Sequence, residues 1–184
     1  KAGHFLSIIA RETDRIIAIV EDLLSLARIE REEESRDLVL EKKSVRELLI
    51  SAIQACERKA IKKNINLELQ CHPNIIGLIN AHLLEQAVIN LVDNAIKYSN
   101  PEGKVFISGK IQGNSIEIAV KDQGCGIPEE HLPRLFERFY RVDKARSREL
   151  GGTWMGLAIV KHIIHIHGGS VEVKSKVGEG STFY

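Results

Sequence analysis

Asn90-Leu91-Val92-Asp93-Asn94-Ala95-Ile96-Lys97-Tyr98, then Val105 to Gln112, Ser115 to Lys121 and Asp122-Gln123-Gly124-Cys125-Gly126-Ile127, is the stretch whose reading decides the fold. Its first part continues a helix: Leu83, Leu84, Ala87, Val88, Leu91 and Val92 recur at helical spacing, Asn80 is a capping residue, and Ser99-Asn100-Pro101 marks the end. Its second part alternates apolar and polar residues in two runs joined at Gly113-Asn114, a hairpin signal. Upstream, Ser44-Val45-Arg46-Glu47 is a capping box that opens a helix to about Lys59. Leu38-Val39-Leu40 reads as a short strand before it, and Ile65 to Leu69 as a half-buried strand after it. Downstream, Pro128 opens a short helical or irregular stretch and Thr153 to His167 reads as a helix. Ser170 to Lys174 and Ser181 to Tyr184 form a second hairpin around Gly178-Glu179-Gly180. Hairpins on one side and three helices on the other predict an α+β fold, a two-layer α/β sandwich.

Composition narrows the class. The 184 residues are 43% apolar and 28% charged, enough for one compact domain with an appendage. A formal net charge of +1, with Lys and Arg scattered among Glu, argues against a nucleic-acid partner. Cys56, Cys71 and Cys125 lack the paired spacing of zinc sites and read as buried small hydrophobes in a reducing compartment. No apolar run is long enough to cross a bilayer, so membrane attachment is expected only through segments outside this chain.

From Phe5 to about Glu30, Phe5, Ile9, Ile16, Ile19, Leu23 and Leu26 recur in alternating steps of three and four, broken only at Glu12, and Ile8, Ile17, Val20, Leu24 and Ala27 widen the stripe. So wide a stripe suits a four-helix bundle completed by a second helix and a second protomer; the alternative is an amphipathic helix lying on its own domain. The charged run Arg31 to Arg36 reads as a solvated helix end and linker, which divides the chain into residues 1–35 and 36–184.

Four blocks carry the chemistry. Asn90 and Asn94 share one helix face, where an amide carbonyl suits magnesium, a hard ion that takes few protein ligands. Lys97 and Tyr98 follow within the next turn, and without a ligand these residues form a polar helix face. Asp122, at a strand end, offers a carboxylate to an adenine amino group, and Gly124 and Gly126 would let a planar ring approach the backbone; alone, the motif is a turn-forming Asp-x-Gly. In Phe136-Glu137-Arg138-Phe139-Tyr140-Arg141, the two Phe side chains would clamp a lid, with Arg138 or Arg141 turned toward a terminal phosphate. Lys144 to Leu150 fits a loop that orders over a nucleotide, or a plain solvated loop. Gly151-Gly152-Thr153 would lead into a helix N-terminus whose amides cradle phosphate oxygens.

In this order the four blocks resemble the nucleotide site of sensor histidine kinases, and Ile19 to Glu30 is similar to the second helix of that family's dimerisation domain. The resemblance implies ATP and Mg2+ as cofactors, with Asn94 as metal ligand supported by Asn90. It places Asn90, Lys97, Arg138 and Arg141 in catalysis, and Tyr98, Asp122, Gly124, Gly126, Ile127, Gly152, Thr153, Gly156 and Leu157 in nucleotide binding. It further implies transfer of the γ-phosphoryl group to a histidine of the bundle, a homodimer through that bundle, and a response regulator receiver domain as partner. The expected location is the cytoplasmic portion of a protein anchored in a bacterial inner membrane. An ATPase clamp like gyrase or MutL shares the asparagine block, but the bundle helix and the Phe-Glu-Arg-Phe run favour the kinase.

Two departures stand out. None of His4, His72, His82, His131, His162, His165 or His167 has the phosphoacceptor context of the family, so transfer is expected in trans. His162, His165 and His167 are expected as cations near a helix C-terminus rather than metal ligands. The family pattern Gly-Thr-Gly-Leu-Gly-Leu reads Gly152-Thr153-Trp154-Met155-Gly156-Leu157 here, and an indole where backbone meets phosphate would obstruct the nucleotide or turn outward. The alternative function is therefore a nucleotide-impaired assembly module.

Overall fold

The structure is a computed structural model that describes residues 2–35, 38–142 and 155–184. The chain opens with α1 (Ala2–Ser35), then runs β1 (Glu41–Ser44), α2 (Val45–Lys62), β2 (Asn66–Cys71), β3 (Ile76–Ile79), α3 (Ala81–Tyr98), β4 (Lys104–Gln112) and β5 (Ser115–Asp122). A 3-10 helix (Glu129–Arg134), α4 (Gly156–Ile166), β6 (Val173–Lys176) and β7 (Gly180–Phe183) complete it. Five strands form one sheet in the order β2-β4-β5-β7-β6, parallel only between β2 and β4, while β1 and β3 form a separate antiparallel pair. Helices α2 and α3 pack side by side and α4 packs on α3. Leu49, Val92, Val105, Ile107, Ile159 and Ile163 are among the side chains fully excluded from water between the layers. The expected two-layer sandwich is the observed one.

Local signals explain most boundaries. The Ser44 hydroxyl accepts from the Glu47 amide at 3.3 Å and the Asn80 side chain from the Leu83 amide at 3.1 Å, each satisfying a donor that helix geometry leaves open. Gly113 takes φ 61° in the β4–β5 turn. The first strand, however, is Glu41–Ser44 and not Leu38 to Leu40. Its register is fixed by β3, with Lys43 opposite Gly77 and Ser44 opposite Ile76, while Leu38 packs on the core from irregular backbone. Strand β6 is likewise displaced, to Val173–Lys176, because the tight turn at Gly178 (φ 82°) sets pairing backward from Lys176 opposite Gly180. The helix expected from Thr153 begins at Gly156; Thr153 and Trp154 lie outside the described residues.

Helix α1 meets the domain at one end only. Its C-terminal part lies on the domain, packed against α4, with Leu26 and Ile29 buried. The Gln86 amide donates to the Ser25 hydroxyl at 2.7 Å across this contact. Leu6, Ile9, Ile16, Ile17, Val20 and Leu24 remain exposed. Among the described residues no helix is long and apolar enough to cross a membrane.

Candidate functional site

A cavity of about 380 Å³ opens between α3 and the segment that follows β5. Helical periodicity turns Asn90, Asp93, Asn94, Lys97 and Tyr98 to it, because positions three and four apart stack on one face. The opposite wall comes from Asp122 and the loop Cys125 to Pro128, then Leu135, Tyr140, Arg141 and Val142. Gly156 and Leu157 contribute the start of α4, and Val177, Ser181 and Phe183 the last hairpin.

Asp122 is only 4% exposed. Its Oδ1 accepts from the Gly124 amide at 2.8 Å, and Ser181 donates to it from backbone and hydroxyl. Burial dominates these bonds and holds the carboxyl above the usual aspartate range. A serine relay steadies the surrounding loop: the Ile127 amide donates to Ser175 Oγ at 2.8 Å, and Ser175 Oγ meets Gly180 O and Ser181 Oγ at 2.9 Å each.

Lys97 carries the strongest electrostatic signature. Burial pushes its ammonium down to about 8, Asp93 opposes that shift, and the Arg141 guanidinium adds to it. Lys97 and Arg141 thus face one cavity together with the Asp93 carboxylate. The Asn90 amide makes a long 3.5 Å contact with the Gly156 carbonyl, so the N-terminus of α4 abuts the asparagine face of α3. The donor set fits magnesium by its chemistry: the amides of Asn90 and Asn94 and the carboxylate of Asp93, which also pairs with Lys59 at 2.7 Å, belong to one cavity wall.

Ten residues singled out from sequence thus line one cavity: Asn90, Asn94, Lys97, Tyr98, Asp122, Gly126, Ile127, Arg141, Gly156 and Leu157. Arg138 does not join them. Its guanidinium pairs with Glu30 on α1, which turns it away from the cavity. Gly124 is also outside the wall. A Cβ on Gly124 would collide with the Tyr98 carbonyl oxygen, and one on Gly126 (φ 67°) with that of Lys176, so both serve backbone-to-backbone packing. Nor do the two Phe residues act as a pair: Phe136 meets Phe183 edge to face at 6.3 Å, whereas Phe139 is 54% exposed. Gly152, Thr153, Trp154 and the Lys144 to Leu150 loop lie outside the described residues.

Of the three histidines expected as helix-end cations, His167 alone is corrected. Its Nδ1 lies 2.7 Å from the Ile163 carbonyl and its Nε2 accepts from the Asn80 amide at 3.0 Å. One nitrogen must donate and the other accept, which requires the neutral ring. Among the described residues no three His, Cys, Asp or Glu side chains form a metal cluster. Sequence reasoning missed Asp93, Tyr140 and Ser181. Asp93 was legible as the i+3 neighbour of Asn90 and Tyr140 as part of the Phe-rich block, but Ser181 reaches the site only through sheet pairing.

Comparison with known proteins places this geometry among relatives. Residues 79–184 match the model of the histidine kinase-, DNA gyrase B-, and HSP90-like ATPase family. The sensor-like histidine kinase SenX3 of Mycolicibacterium smegmatis is 39% identical over 180 residues, 98% of this chain and 46% of the relative. The chain therefore spans less than half the length of that relative. The structure of the mycobacterial sensor histidine kinase MprB superposes with a TM-score of 0.68 at 32% identity, covering 78% of this chain and 94% of that one. At 24% identity, histidine kinase ThkA, solved in complex with the response regulator TrrA, shares the fold with a TM-score of 0.74 over 97% of this chain and 48% of its own.

Proposed function

The chain belongs to the histidine kinase-, DNA gyrase B-, and HSP90-like ATPase family, among the sensor histidine kinases, and we propose that it holds magnesium-bound ATP for phosphoryl transfer to a histidine. The observation that carries this reading is one cavity combining a buried carboxylate, two cations and a pair of side-chain amides. Asp122 would accept from the adenine amino group, a contact that guanine's oxygen defeats. Asn94, supported by Asn90, would hold magnesium, and Lys97, Tyr98 and Arg141 would meet phosphate and ribose. Magnesium would neutralise charge on the phosphates, so that catalysis is mostly positioning. Gly152 and Thr153 complete the proposed phosphate loop by sequence. Arg138 would have to leave Glu30 to take part.

Residues 1–35 form, in this reading, the second helix of a dimerisation bundle, and 36–184 the catalytic domain. The exposed apolar row on α1 supports a homodimer. The phosphoryl group would pass from a bundle histidine to a response regulator, on the cytoplasmic side of a membrane anchored by segments outside this chain. Titration with the fluorescent analogue TNP-ATP, with and without magnesium, tests the reading on this chain and on Trp154→Gly. Metal-dependent binding by the chain as it stands supports the kinase role. Binding only after Trp154→Gly identifies a disabled module retained for assembly, and binding by neither refutes the nucleotide site.

A further inference from the structure

The wall opposite α3 contains a bonded cluster that none of the four blocks explains. Tyr140 lines the cavity, and its hydroxyl lies 2.7 Å from His131 Nδ1 in the 3-10 helix. The same phenol ring carries the Arg134 guanidinium 4.3 Å from its centroid. Arg134 is held in turn by Glu137 through Nε and Nη2 contacts of 3.0 to 3.2 Å. Glu130 Oε1 stands 3.5 Å from His131 Nε2, which favours the proton on Nε2 and leaves Nδ1 to accept from the phenol.

The backbone between these partners is also distinctive. Phe139 adopts φ 64° although it is not glycine, and its side chain is mostly in water. A bulky residue in the left-handed region costs about 1–2 kcal/mol and persists only where its surroundings over-determine it. Here the surroundings are the bonds that fold Tyr140 back onto the 3-10 helix. That reversal also delivers Arg141, the next residue, to the cavity beside Lys97.

We propose that His131 and Arg134 are positioning residues for nucleotide binding, acting through Tyr140: the imidazole fixes its hydroxyl, the guanidinium fixes its ring, and together they place Tyr140 and Arg141 in the cavity wall. The inference rests on the reading of that cavity as the nucleotide site. It assigns a task to the segment Glu129 to Glu137, none of whose charged residues lines the cavity.

The contact itself is read first, without nucleotide. In this chain labelled with 15N-histidine, Tyr140→Phe removes only the hydroxyl and is expected to shift the His131 imidazole nitrogen resonances while leaving those of His165 in place. Unchanged His131 resonances overturn the proposal. Binding of TNP-ATP is then measured in a double-mutant cycle, on whichever of the chain and Trp154→Gly binds. His131→Ala is expected to weaken binding roughly fivefold, the worth of one ordinary hydrogen bond, with His131→Asn recovering most of it through an acceptor near the Nδ1 position. In the Tyr140→Phe background the same His131→Ala change is expected to cost nothing further. Equal losses in both backgrounds would show that His131 acts elsewhere and overturn the proposal. Thermal midpoints recorded beside each titration separate lost positioning from lost folding. Absence of binding by both parent chains refutes the nucleotide reading instead, a result distinct from binding without coupling.

Discussion

The two walls of the cavity are built by opposite means. The α3 wall is regular: Asn90, Asp93, Asn94 and Lys97 arrive on one face through helical periodicity, and the opposite face is buried through Leu84, Val88, Leu91 and Val92. The wall from Asp122 to Val142 has almost no regular structure beyond its 3-10 helix. It is held by close backbone approach at Gly124 and Gly126, a serine relay, one aromatic edge contact and the His131–Tyr140–Arg134 cluster. The contrast teaches where tolerance to change lies. A helix wall distributes its cost over many bonds, whereas the loop wall concentrates it in a few contacts with no alternative.

The largest effect expected from this contrast is on the loop wall. Gly126→Ala puts a methyl into the Lys176 carbonyl at a positive φ, and should destabilise the fold by about 3–5 kcal/mol, read as a fall in chemical-denaturation midpoint. Retention of the parent midpoint would mean the loop relaxes more readily than its packing implies. The helix wall is expected to give less at its weakest point, the C-terminus of α3. There Lys63 donates to the carbonyls of Ile96, Lys97 and Ser99 at 2.7 to 2.9 Å, so Lys63→Met should cost about 1.5–3 kcal/mol while α3 survives.

A third test sharpens the electrostatic side. Burial depresses Lys97 to about 8, so its charged form opposes folding below that pH, and the penalty is relieved as pH rises toward the ordinary lysine value. A bound phosphate would raise its pKa. Nucleotide affinity should therefore be greatest below pH 8 and fall above it by at most about tenfold per pH unit, and Lys97→Met should remove that slope. A slope unchanged by Lys97→Met would assign the proton to another group. The smallest effect is expected at the contact between domain and α1. Arg138→Ala or Glu30→Ala breaks a largely exposed ion pair and should change stability by less than about 0.5 kcal/mol. A larger loss would make this pair a principal anchor of α1.

Legibility in the sequence follows the same division. The α3 residues were readable because local periodicity suffices to group them, and the capping residues Ser44 and Asn80 because each bonds within its own turn. The β4–β5 hairpin was readable for the same reason, its pairing being set by two residues at the turn. The pairing of β2 parallel to β4 was not, since its partners are joined only through β3 and α3. Gly124 and Gly126 were recognised as positions needing no side chain, yet what fills the space is other backbone. His167 bridges α4 to the cap of α3, a contact between residues far apart in sequence that no local pattern signals.

The sequence by itself determined the family, the layered fold and ten residues of the cavity wall, because short motifs and periodicities encode what neighbouring residues do to one another. Only the tertiary structure decided that Arg138 turns to Glu30 while Arg141 enters the cavity, that Phe136 packs half-buried on Phe183 while Phe139 is exposed, and that Tyr140 is tied to His131 and Arg134. Those outcomes depend on which side chain reaches which partner once the chain has closed on itself, and adjacent residues of one motif can be sent in opposite directions by a single left-handed backbone turn.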